Sequence, residues 1–150
     1  MSQFHRVGLV ANPRKSGAVA LLEKLMSRFE AYGIEISLEQ HTATLLERRD
    51  GSPVADLADK VGGIVVLGGD GTILWVIRQL GKSLCPIAAI NTGTLGFLTC
   101  ATEEESDRLV EALASGALKM TERLMLEGTL ERSAVRLLGF PWSPALLERS

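Results

Sequence analysis

An α/β domain with a mostly parallel sheet and helices on both faces is the fold class this sequence predicts. Short apolar runs alternate with segments of helical period, the runs are too uniformly apolar for a half-exposed sheet, and three of them open directly onto loops rich in glycine or asparagine. A chain of 150 residues with 46% hydrophobic content is long enough for one packed core and short for two.

The first predicted strand, residues 7–11, stops at the turn dipeptide Asn12-Pro13, and the basic pair Arg14-Lys15 follows. Over 17–31, Val19, Leu22, Leu25, Met26 and Phe29 recur at helical spacing, and Gly33 stands where it ends that helix. Residues 34–38 alternate as a second strand. Residues 42–52 are polar, charged and aperiodic, which predicts a mobile loop. A short helix over 53–60, a buried strand over 63–67, a helix over 72–80 closed by Gly81 and a buried strand over 86–90 follow in turn. A glycine-punctuated loop begins at Asn91. Thr102 and Glu105 form a capping box for a helix running to about Ser115, with the acids 103–105 favouring its first turn, and residues 124–130 read as a strand.

Charge and cysteine usage exclude several function classes. Sixteen lysines and arginines against 18 acids leave a net charge of -2, so no global basic field points to nucleic acid or an anionic membrane. Cys85 and Cys100 stand alone, which fits two reduced, part-buried thiols and a cytoplasmic setting better than a zinc site or a disulfide framework. The leading segment has too short an apolar run for a signal peptide, and no stretch approaches the ~20 apolar residues of a membrane span. His5 and His41 lie apart, in a leading segment and a polar loop, with no metal or catalytic role expected of either.

Ligands of a parallel sheet gather at the carboxyl ends of its strands, where three loops follow strands directly: 12–17, 68–72 and 91–99. In the second loop, Gly68, Gly69 and Gly71 let backbone amides approach an anion, and the helix that follows adds partial positive charge. A carboxylate at Asp70 would repel that anion unless it serves as a base or a metal partner; the alternative is a plain helix cap. Leu-Gly-Lys-Ser at 80–83 is not a phosphate loop, because Val76 stands where the leading glycine belongs and the stretch precedes a strand.

The pentapeptide GGDGT at 68–72 is preceded by NPRKSG from Asn12 and followed by NTGTLGFLT from Asn91, and Glu122, Arg123, Leu124, Met125 and Leu126 give an E-R-x-M-L segment. In these motifs, over residues 4–131 and in the family's order, the chain resembles the NAD kinases. Diacylglycerol-type lipid kinases and phosphofructokinases are similar around GGDG but lack the LGFLT loop. The resemblance implies a phosphofructokinase-like NAD kinase N-terminal domain. It also implies phosphoryl transfer from ATP, or from inorganic polyphosphate, to the 2′-hydroxyl of the adenosine ribose of NAD, giving NADP.

Under that resemblance Asp70 matches the general base. Gly68, Gly69, Gly71 and Thr72 supply amides and a hydroxyl to donor phosphates, with magnesium between them, while Arg14 and Lys15 add cations. Asn91 hydrogen-bonds a nucleotide; Phe97 either stacks on adenine or joins Leu95 and Leu98 in the core. From about Ser133 the sequence departs from the Asn-Asp or Asn-Glu pair that holds the NAD ribose in the family and from its glycine-rich β domain. The expected organisation is therefore an α/β domain over 1–131 and an atypical tail over 132–150, whose apolar residues favour self-association. Family members resemble homo-oligomers with small-molecule partners. A kinase of another acceptor, such as a lipid, and a non-catalytic nucleotide-binding module stand as alternatives.

Overall fold

The computed structural model describes residues 4–94, 96–125 and 146–147. Strands β1 (Arg6–Ala11), β2 (Glu35–Leu38), β3 (Gly63–Gly68), β4 (Ile87–Asn91) and β5 (Ala101–Thr102) form one sheet in the order β2-β1-β3-β4-β5. Every neighbouring pair is parallel, with Leu9 opposite Leu38 and Val65, and Gly68 opposite Asn91. The chain winds outward in one direction from β1 and in the other from β3, so the strand order reverses between these two strands.

Helices α1 (Ala18–Ala31), α2 (Gln40–Leu45), α3 (Val54–Leu57), α4 (Asp70–Leu80) and α5 (Ser106–Ser115) complete this unit. Successive residues of β3 explain why helices cover both faces. Val65 and Leu67 join the cluster of α1 and α5 that contains Leu22, Leu25, Phe29 and Val110, while Ile64 and Val66 join the cluster of α3 and α4 with Leu57, Ile73 and Val76. A strand buried along its whole length in this way has no polar alternation, matching the sequence signal. Each fully buried aliphatic side chain contributes roughly 1.5–3 kcal/mol from removal of apolar surface from water.

Helix α1 is preceded by Gly17, in the left-handed region at φ 84°. It ends as the sequence predicts: Gly33, at φ 69°, donates to Glu30 O, and Ile34 donates to Phe29 O. The expected loop over 42–52 is corrected at its start, because residues 40–45 are helix α2. Its cap is the Glu39 carboxylate, which accepts from the amides of His41 and Thr42 at 2.9 Å each, so a glutamate supplies the capping group where Ser, Thr, Asp or Asn is usual. Helix α5 starts at Ser106 because the Glu105 carboxylate reaches back to the Thr102 amide, closing a turn ahead of the helix. The short strand β5 was not expected from the sequence.

The cysteines are both free; Cys85 is half-buried, which raises its thiol pKa, but Cys100 is exposed rather than part-buried. No helix among the described residues is long and apolar enough to cross a membrane. The chain divides into two compact units, residues 1–118 and 119–150. In the second, β6 (Leu124–Met125) pairs antiparallel with β7 (Leu146–Leu147). The rest of the predicted 124–130 strand, and the tail up to residue 145, lie outside the described residues.

Candidate functional site

At the carboxyl ends of β1, β3 and β4, beside the point where the strand order reverses, lies a cleft of about 610 Å³, large enough for a nucleotide. Arg14, Lys15, Gly69, Gly71, Thr72 and Asn91 all line it, so the three loops singled out from the sequence converge on one site. The first loop is shaped by Asn12, whose side-chain oxygen accepts from the Arg14 amide at 3.0 Å while its own amide donates to Leu67 O at 2.9 Å. Neither Arg14 nor Lys15 forms an ion pair with a described residue, which leaves both charges for an anion in the cleft.

In the second loop the glycines divide their duties. A Cβ at Gly68 would meet Thr72 Oγ1 at 2.5 Å and Thr72 Cβ at 2.7 Å, so Gly68, which is buried and does not line the cleft, makes room for Thr72. Gly69 has extended backbone, φ -108° and ψ -170°, with open space where a Cβ would stand, so its bare backbone serves access to the cleft. Helix α4 begins at the next residue, leaving the amides of Asp70 and Gly71 with no helical carbonyl behind them and pointing partial positive charge at the cleft.

Asp70 is not a plain helix cap: the residue ahead of α4 is Gly69, and no side chain caps the helix. Its Oδ2 accepts from the Phe97 amide and its Oδ1 from the Leu98 amide, both at 2.9 Å, tying the head of α4 to the third loop. The glycine that permits this is Gly96, where a Cβ would overlap Asp70 Oδ1 and stand 3.0 Å from Cγ. Asp70 is not itself among the residues lining the cleft. Each carboxylate oxygen keeps a further lone pair for a substrate hydroxyl.

Asn91 is buried, and its side chain holds the third loop together: Oδ1 accepts from the Gly93 amide at 2.9 Å and Nδ2 donates to Thr94 O at 2.8 Å. Gly93 stands against the end of Lys15, its missing Cβ 2.5 Å from Nζ, so a cation from the first loop reaches the third. Phe97 is 65% exposed, which excludes the core alternative, and it is not among the cleft-lining residues. Leu98 packs partly against the apolar cluster of α3 and α4, and Leu95 lies outside the described residues.

Sequence reasoning missed Glu39, His41, Trp75 and Thr94, which also line the cleft. Burial by itself would raise the Glu39 carboxyl, but the amides of His41 and Thr42, the His41 ring and the Thr42 hydroxyl together hold it below its ordinary value. The Thr42 hydroxyl donates to Glu39 at 2.9 Å and accepts from the Ala11 amide at 2.9 Å, so the network braces the end of β1. Among the described residues no group of three or more His, Cys, Asp or Glu side chains could hold a metal ion by itself.

Comparison with known proteins gives this cleft its context. The family model of the ATP-NAD kinase N-terminal domain matches residues 7–118. The chain is 35% identical over 131 residues to the NAD kinase of Geobacter sp. strain M21, covering 85% of this chain and 46% of that protein. An NAD kinase from Archaeoglobus fulgidus, solved in complex with ATP, superposes with a TM-score of 0.55 at 30% identity, covering 80% of this chain and 40% of the other. Yeast NADH kinase in complex with NADH shares the fold, with a TM-score of 0.69 at 21% identity over 79% of this chain and 40% of its own. The chain spans about half the length of the curated relatives it matches. With three-quarters of its length matched by the family model and the family's loops meeting in one cleft, this chain belongs to the ATP-NAD kinase family.

Proposed function

We propose that the cleft is the phosphoryl-donor half of an NAD kinase site, in which the 2′-hydroxyl of the adenosine ribose of NAD attacks the terminal phosphorus of the donor. The new oxygen–phosphorus bond forms as the bond to the donor's leaving phosphate breaks, and the hydroxyl proton passes to Asp70. The observation that carries this reading is the placement of Asp70: a carboxylate at the head of α4, fixed by two amides, directly beside the amides of a cation-flanked cleft. Fixing the carboxylate orients a poor nucleophile, and in a loose transition state orientation counts for more than basicity.

Arg14, Lys15 and the α4 amides bind and neutralise the donor phosphates, and Thr72 adds a hydroxyl to them. A magnesium ion would be held by the donor's phosphate oxygens, with Asp70 the loop carboxylate available to it. When bound there it supplies charge neutralisation between the phosphates. Asn91 and Phe97 belong to the nucleotide side of the site in this reading, and the working protein is a cytoplasmic homo-oligomer acting on small molecules.

A coupled assay for NADP formation with ATP, magnesium and NAD tests the proposal, with Asp70→Asn as its control. Turnover is expected to fall by on the order of 10²-fold in the variant, with nucleotide affinity retained. Unchanged turnover removes Asp70 from the chemistry.

A further inference from the structure

One wall of the cleft has no part in binding phosphate. Trp75 lies on α4 three residues beyond Thr72, so the two project from the same side of the helix about 4.5 Å apart along its axis. Its indole is 38% exposed, and facing it is His41 of α2, with ring centroids 6.4 Å apart and planes at 77°. A T-shaped pair covers at most one face of one ring, so aromatic surface stays open in the cleft. The His41 ring is held by a hydrogen bond of 2.7 Å between its Nδ1 and Glu39 Oε1, and its Nε2 makes no hydrogen bond to a described residue.

We propose that Trp75 and His41 form a subsite for the nucleobase of the phosphoryl donor, so that this chain takes a nucleoside triphosphate in preference to inorganic polyphosphate. The proposal rests on the NAD kinase reading for the position of the phosphates. Polyphosphate is recognised by charge alone and gains nothing from an indole, whereas among the described residues the lysines and arginines lining this cleft are Arg14 and Lys15. A nucleoside triphosphate needs fewer cations and an aromatic face, which Trp75 provides one helical turn from the α4 amides. Stacking tolerates any base, and His41 Nε2 adds a hydrogen-bonding group beside the stacking face.

Calorimetric titration of the purified 150-residue chain with magnesium-ATP, inorganic tripolyphosphate, NAD and adenosine tests this directly. The expected result is that Trp75→Ala weakens ATP on the order of tenfold or more and leaves tripolyphosphate within about twofold, with Trp75→Phe recovering most of the loss. The unchanged tripolyphosphate titration also shows that the variant is folded. Equal losses for both ligands, or no loss for ATP, overturn the proposal. A loss confined to NAD overturns it too, by giving the aromatic wall to the acceptor. If the unmodified chain binds no tripolyphosphate, the phosphate reading fails; adenosine binding that still depends on Trp75 upholds the base subsite, and no such binding overturns it.

Discussion

A single carboxylate sets the precision of the site. Both oxygens of Asp70 are held by amides of the third loop, and the missing Cβ of Gly96 lets the loop come so close. Gly96→Ala forces the carboxylate off two hydrogen bonds, since its Cβ meets a group that cannot swing aside freely. The expected loss in denaturant unfolding is about 1–3 kcal/mol. Gly93→Ala is the matched control: its Cβ meets only the flexible end of Lys15, so its cost should stay within about 0.5 kcal/mol. Equal losses in the two variants would show that the Asp70 contact adds nothing special. GGDGT announces this carboxylate in the sequence, but nothing there says that its partners are the amides of Phe97 and Leu98, 27 and 28 residues away.

At the scale of elements, the strands and long helices were legible because burial imposes a period: β3 is apolar throughout, and α1 repeats its apolar face and ends at a glycine with positive φ. Helix α2 was not. It is six residues long, too short to show a period, and it exists because Glu39 folds back on the His41 and Thr42 amides after β2 ends. The same network brings His41 to Trp75 from a segment that reads as a polar loop. Thr42 also reaches across 31 residues to the Ala11 amide, a link no local pattern contains.

Since the Glu39 carboxyl is held below its ordinary value near 4.5, its ionised form favours the folded state; that contribution is present above the unfolded pKa and is lost as pH falls through the folded one. The chain should therefore melt at progressively lower temperature as the pH drops below about 4.5, and Glu39→Gln should flatten that part of the curve. The variant places a carboxamide NH2 against groups that donate to the carboxylate, so it should also cost about 1–3 kcal/mol at neutral pH. An unchanged slope between pH 5 and 3 would take Glu39 out of the acid transition.

In the whole molecule, the five-stranded sheet, both apolar clusters and every cleft-lining residue fall within residues 1–118. A chain ending after Leu118 is accordingly expected to unfold in one cooperative transition with its melting temperature within a few degrees of the parent, about 1 kcal/mol or less apart. A broad, non-cooperative melt would show that residues 119–150 are needed for the first unit to fold. The parallel topology also fixes when the site can exist. Asp70 and its two amide partners lie at opposite ends of a stretch that must first pass down α4, turn, and return through β4, so their hydrogen bonds close a ring of chain around a docked helix. The entropy of closing that ring is offset by the pairing of β4 with β3, which holds the two ends of the ring near one another. The carboxylate beside the cleft thus takes its place only in a chain whose central strands have paired, so a molecule that presents it correctly carries β4 already seated on β3.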